Sequence, residues 1–216
     1  MKQKVFAELI GTAMLLISVI GSGIMGVALA QGNDAITLLA NAIATGCMLF
    51  VIITILGHIS GAHFNPAVSL AFFLRGELSA AMLGFFVLAQ VMGGVLGVWA
   101  AHVMFDLPVL QISQTMHRTG GAQWFSEIIA TLGLLFVIFG GLRARPDAVP
   151  KLVAIYITGA YWFTSSTSFA NPAVTFARGW SDTFAGIYPG HIAIFIVMQL
   201  VAVVIGHFSL KALLGK

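Results

Sequence analysis

The chain has 216 residues, and only 17 of them are charged, 10 Lys and Arg against 7 Asp and Glu. Charged residues are 8% and apolar residues 59% of the whole, where an ordinary soluble domain has about 25% charged. So few charges cannot coat a soluble globule, and so apolar a chain does not stay disordered. A net charge of +3 without a basic patch gives no nucleic-acid surface, and a single Cys excludes an internal disulfide framework. A mean hydropathy of +1.02 leaves an integral membrane protein, here read as one compact domain over residues 1–216.

In chain order, the stretches free of charge run over 9–33, 35–74, 78–105, 128–142, 152–177 and 183–210. A membrane helix needs about 20 apolar residues. Segments 9–33, 78–105 and 183–210 each supply one span. Segment 128–142 reaches full length only by starting near Gln123 and carrying Glu127 into the bilayer. Segment 35–74 is too long for one helix, since its length would give about 60 Å against a core of about 30 Å. It is broken at Gly57-His58-Ile59-Ser60-Gly61-Ala62-His63-Phe64-Asn65-Pro66. Proline cannot continue a helix but starts one well, so a span over about 36–56 is followed by a half-helix over about 66–74. Segment 152–177 repeats the plan, with a span over about 151–164, the run Thr164 to Ser168, and Asn171-Pro172 opening a second half-helix.

The expected fold is therefore all-α, with six transmembrane helices and two re-entrant half-helices. Irregular backbone at membrane depth is tolerated where it is buried in protein or lines a watery cavity. Two broken segments thus point to a polar pathway. Six spans put both termini on one side, with Lys2, Lys4, Arg75, Arg143, Arg145, Lys151, Lys211 and Lys216 there and Arg118 and Arg178 opposite. That asymmetry predicts cytoplasmic termini. The first apolar run lacks a small-residue cleavage site and reads as a retained span.

The halves resemble each other. Phe6-Ala7-Glu8-Leu9-Ile10-Gly11-Thr12 matches Phe125-Ser126-Glu127-Ile128-Ile129-Ala130-Thr131, and Asn65-Pro66-Ala67-Val68 matches Asn171-Pro172-Ala173-Val174. Gln90 and Gln199 also sit in matching spans. An odd number of spans per half makes this an inverted repeat, about 1–102 and 121–216, and such folds place broken helices near the midplane.

Two Asn-Pro-Ala triplets, each after a broken span, together with Glu8 and Glu127, resemble the major intrinsic protein family of aquaporins and aquaglyceroporins. The resemblance covers essentially the whole chain. It implies a pore centred on Asn65, Pro66, Ala67, Asn171, Pro172 and Ala173. Half-helix N-termini meeting there present free N–H groups and positive dipole ends. A capping Asn oxygen accepts from its own helix, which leaves the amide NH2 facing the lumen as donor. Neutral solutes accept those bonds, whereas cations and protons are rejected. The resemblance places pore carbonyls at Gly61, Ala62, His63 and Phe64 and at Thr167, Ser168 and Phe169. A carboxylate inside a span is costly unless satisfied. One such acid per loop suits Glu8 and Glu127 to holding the loops' N–H groups rather than relaying protons.

The family's outer constriction uses four positions, which ungapped spacing from the two Asn residues assigns to Thr45, Gly159, Ser168 and Val174. Water channels tend to carry Phe, His and Arg where this chain has Thr45, Gly159 and Val174. The expected filter is wider and less cationic than a water-selective one. It suits glycerol, urea, boric acid and arsenous acid, with water. This small filter and the run Ala177 to Ile187 resemble bacterial members associated with arsenic resistance. Arg178 lies one turn beyond Val174 and is a candidate for the outer vestibule. The favoured expectation makes it a membrane-surface Arg, paired with Asp182 or lipid headgroups, and the other has it reaching back toward the filter.

Cys47 is expected to pack, and His58 and His63 without a third ligand give no metal site. Tyr161-Trp162-Phe163 is expected as aromatic belt or filter wall. Gly93, Gly94, Gly97, Gly133, Gly140 and Gly141 suit close helix packing. The loop from Phe105 to Gly121 carries no readable function. The resemblance further implies a homotetramer in the plasma membrane, with no cofactor. The alternatives are a water-selective channel and an ion-coupled transporter. The latter needs a coupling acid, and Glu8 and Glu127 are the acids within spans. There is no nucleophile–base pair to suggest an enzyme.

Overall fold

The computed structural model describes residues 1–215. Lys216, counted above among the basic residues of one side, lies outside them. The helices are α1 (Lys2–Leu29), α2 (Asp34–Ser60), α3 (Pro66–Leu74), α4 (Ala80–Met104), α5 (Gly121–Ala144), α6 (Val149–Phe163), α7 (Pro172–Arg178) and α8 (Ile192–Leu214). The protein is an all-helical multi-pass membrane protein. Among the described residues, five helices are long and apolar enough to cross a membrane. The sixth, α6, has 15 residues and covers only about 22 Å. Pro150 lies in its first turn, and Thr164 leaves the helix with extended backbone.

Side chains set the helix ends. Asn33 accepts from the Ala35 and Ile36 N–H groups to start α2, and Ser79 accepts from Met82 N–H to start α4. Helix α2 runs on to Ser60, past the break expected near residue 57, and stops where Gly61 takes a φ of +93°. Only residues 61–64 then separate it from the Asn65 cap. Helix α5 starts at Gly121 and carries Glu127 inside, as its length demanded.

Helix α1 packs on α2 and α4, α5 on α6 and α8, and α2 on α6. Each half-helix packs against both α4 and α8. Small residues allow the closest approaches. A Cβ on Gly93 would lie 2.2 Å from the Leu9 carbonyl oxygen, and one on Gly97 would lie 2.3 Å from that of Ala13. Gly141 meets Val149 and Leu152, whereas Gly140 faces open space. Large apolar side chains such as Leu29, Ile155 and Phe208 are exposed, as expected for a lipid-facing surface. Cys47, expected to pack, is exposed on α2.

Candidate functional site

The two half-helices begin in the same way. Asn65 and Asn171 have extended φ, and each is followed by Pro at the first helical position. The Asn65 oxygen accepts from Ala67 N–H at 2.9 Å, and that of Asn171 from Ala173 N–H at 3.0 Å and Val174 N–H at 3.2 Å. The amide nitrogens reach across. Asn65 Nδ2 donates to the Ala170 carbonyl at 2.7 Å, and Asn171 Nδ2 donates to the Phe64 carbonyl at 2.8 Å. An amide has two N–H donors. One of each pair therefore ties the loops together, and one remains for the cavity that both residues line.

The loops entering the caps are strained in matching places. Ala62 and Phe64 have φ of 52° and 48°, and Ser168 and Ala170 have 51° and 46°. Left-handed backbone at a non-glycine residue costs about 1–3 kcal/mol and persists where surrounding bonds enforce it. Here carboxylates enforce it. Fully buried Glu8 accepts from Ser60 Oγ, His63 N–H, Phe64 N–H and Gln90 Nε2, at 2.7, 2.9, 2.6 and 2.7 Å. Fully buried Glu127 accepts from Phe169 N–H and Ala170 N–H, both at 2.9 Å, from Gln199 Nε2 at 2.6 Å, and from the Ser166 side chain. Gln90 and Gln199 also donate to Ser69 Oγ and Thr175 Oγ1. Each acid is thus occupied by its own re-entrant loop.

A cavity of about 350 Å³ runs past these elements. Gly57, Leu142 and Pro146 lie along it, as do Gly61 through Phe64, Thr45, Ser168, Phe169 and Val174. Ser168 Oγ has no hydrogen-bond partner among the described residues. Thr167 is not part of the lining, and its Oγ1 instead accepts from Arg118. His63 stacks on Phe72 at 4.5 Å and faces Ser69 Oγ at 3.0 Å, while His58 is exposed. Among the described residues, no group of three or more His, Cys, Asp and Glu is placed to hold a metal.

Gly159 is exposed and does not line the cavity. Tyr161 does, and its hydroxyl lies 3.2 Å from Thr45 Oγ1. Two residues on an α-helix are separated by about 200°, so these positions face opposite ways. Helix α6 ends at Phe163, and the non-helical residues that follow spoil a count back from Asn171. Trp162 and Phe163 stay exposed.

Arg178, expected at the membrane surface, is 2% exposed and lines the cavity. Its Nε donates to the Ala185 carbonyl, and its guanidinium carbon lies 3.5 Å from the centre of the Phe169 ring. Asp182 is turned away and accepts from Gln114 N–H, Thr115 N–H and Thr115 Oγ1.

Arg118, which the sequence places only on the side opposite the termini, sits in the loop between Phe105 and Gly121, yet it is 9% exposed. It donates to the Gly186 and Phe184 carbonyls at 2.9 and 3.1 Å and to Thr167 Oγ1 at 3.3 Å. A lone Arg in a polar loop has no periodicity to betray its burial.

The model of the major intrinsic protein family matches residues 1–165, most of the chain. The chain belongs to the major intrinsic protein family. It is 53% identical over 198 residues to Aquaglyceroporin AqpS of Rhizobium meliloti (strain 1021), covering 92% of this chain and 84% of that one. It is 37% identical over 156 residues to Aquaporin NIP1-1 of Zea mays. There the match covers 72% of this chain and 54% of the plant protein, so the chain spans about half the length of that relative. The X-ray structure of the aquaglyceroporin from Plasmodium falciparum superposes with a TM-score of 0.78, covering 99% of this chain and 97% of that one. At 16% identity that match speaks for the shared fold alone. Within this family the chain is a membrane channel for small solutes.

Proposed function

We propose that this channel passively conducts small uncharged polyols and hydroxides, from glycerol and urea to boric and arsenous acid, together with water. The carrying observation is the lining of the outer cavity. Thr45, Ser168 and Val174 are small or of modest size, and the guanidinium that the lining does hold, on Arg178, belongs to a residue one helical turn beyond Val174. Tyr161 takes back some of the width that Gly159 suggested, while its hydroxyl adds a polar group to the wall.

A neutral polyhydroxyl solute loses its water in such a passage and needs replacements. Carbonyls of residues 61–64 and 168–169 serve as acceptors, and the second N–H of Asn65 and Asn171 serves as donor. The two half-helix N-termini oppose a cation at the same level. Ion-coupled transport is disfavoured because Glu8 and Glu127 spend their oxygens on loop N–H groups. In this reading the two halves are inverted repeats of one domain. Both termini face the cytoplasm, the channel sits in the plasma membrane, and four copies assemble with one pore each.

Proteoliposome flux tests this. Vesicles holding the full chain should shrink in a glycerol gradient and re-swell as glycerol enters, and arsenous acid should accumulate inside. Shrinkage in glycerol without re-swelling refutes the proposal and favours a water-selective pore.

A further inference from the structure

We infer that Arg178 supplies the filter guanidinium that position 174 lacks, reaching back by one helical turn and held by a carbonyl clip that Arg118 completes. The inference rests on the channel reading above and assigns a specificity-determining residue within that pore.

The geometry carries it in three steps. Side chains on a helix lean toward its N-terminus, so a long residue covers the surface of the preceding turn. Arg178 is four residues after Val174, on the same face of α7. Both line the cavity beside Ser168, Phe169 and Thr45.

The guanidinium is also held in place. The successive carbonyls of Phe184, Ala185 and Gly186 accept from Arg118 Nη2, Arg178 Nε and Arg118 Nε respectively. The two arginines thus grip one short peptide in alternation. Gly186 is required there, because a Cβ would lie 2.3 Å from the Ser181 carbonyl oxygen and 2.7 Å from Ser113 Oγ. The Phe169 ring receives both guanidinium groups, at 3.5 Å from Arg178 and 5.2 Å from Arg118.

Arg118 spends two of its nitrogens on this clip and the third on Thr167 Oγ1. Arg178 spends only Nε, and its terminal nitrogens have no hydrogen-bond partner among the described residues. The ion pairs found there, Arg75–Glu77 and Arg145–Asp147, involve neither arginine. A buried guanidinium with free donors and no carboxylate partner, at the edge of a cavity, can donate to the oxygens of a neutral solute. It also repels a cation. Lying a turn outward of Val174, it does so without filling the width beside that residue. The filter is therefore both wide and cationic.

The test is flux of glycerol, water and methylammonium through proteoliposomes of the full chain. Wild type should pass glycerol and exclude methylammonium. In Arg178→Gln, methylammonium flux relative to glycerol should rise about tenfold or more, as removal of a close, poorly screened charge requires. The double variant Arg178→Gln/Val174→Arg should restore exclusion, because a guanidinium returns to the same cavity. Folded Arg178→Gln protein with the wild-type ratio overturns the inference. If Arg178→Gln does not fold, Arg178→Lys decides. It keeps the charge but loses the planar stack and the clip, so the glycerol-to-water ratio should shift while methylammonium stays excluded. An unshifted ratio overturns the inference. Wild-type vesicles impermeable to glycerol would instead sink the channel reading itself, which is a distinct result.

Discussion

The Arg178 guanidinium stacks on the Phe169 ring, and the His63 ring stacks on Phe72 in the equivalent places of the other half. In each half the residue two before the capping Asn meets the residue seven after it. Toward one end of the cavity the pair is His on Phe, and toward the other it is Phe under a guanidinium. Repeated backbone thus carries unlike chemistry. The pore wall is aromatic on one side of the asparagines and cationic on the other.

The width beside position 174 is open to a direct trial. In Val174→Arg a second guanidinium enters beside Arg178 in the same cavity. Glycerol and arsenous acid flux should fall by roughly tenfold or more while water flux falls less, since pore diameter governs passage of the larger solute. Stopped-flow light scattering measures both. Equal loss of water and glycerol would mean that the variant merely blocks or unfolds the pore.

The loop-bound acids make a stability prediction. Glu127→Ala orphans the buried N–H groups of Phe169 and Ala170 and one donor of Gln199. Each orphaned buried group costs about 1–3 kcal/mol, so the two N–H groups alone remove about 2–6 kcal/mol. The variant should show a sharply lowered melting temperature in detergent, and Glu127→Gln, which keeps one acceptor oxygen, should fall between. A proton-coupling role would instead leave stability intact and abolish a gradient dependence of flux.

Close packing of α1 on α4 predicts an asymmetry among glycines. Gly97→Ala drives a methyl against the Ala13 carbonyl and should cost about 1–3 kcal/mol. Gly140→Ala meets nothing within 4 Å and should be neutral, or stabilising by up to about 1 kcal/mol, because alanine favours the helix. Thermal unfolding of the two variants side by side checks this, and equal losses would contradict the packing argument.

The outer loop carries a pH dependence. Bonds from Thr115 N–H, Gln114 N–H and Thr115 Oγ1 hold the Asp182 carboxyl below its usual range. A carboxyl lowered in the folded state contributes stability that is present above its unfolded value and lost as pH falls through the lowered one. Backbone amides of residues 114 and 115 should therefore be protected from hydrogen exchange near neutral pH and lose that protection only in strong acid, after correction for intrinsic rates. Asp182→Asn should exchange fast throughout and show no such transition. Identical protection in both proteins would remove Asp182 as the latch.

The capping asparagines tie the halves together. Asn171→Ala removes a cap worth about 1 kcal/mol and the cross-bond to the Phe64 carbonyl. Lower thermal stability should come with an increased cation leak, since the vacated site no longer presents an oriented donor. A stable, cation-tight variant would show that the dipole ends alone suffice.

By itself the sequence determined the elements whose cause is local or compositional. Charge spacing set the spans, Asn-Pro set both half-helix starts, and the duplicated Glu8 and Glu127 announced two loops in need of acceptors. Each of these follows from solvation and backbone chemistry within a few residues. Tertiary structure decided the wall of the pore. Tyr161 rather than Gly159 faces the cavity because α6 ends at Phe163 and the irregular backbone after it resets the helical phase. Arg178 turns inward because Ala185, arriving from a loop, and Phe169, arriving from the re-entrant segment, meet it there. Arg118 joins them from a loop whose sequence is unremarkable. Where a long side chain points depends on partners distant in sequence, and no spacing rule along one chain contains that information.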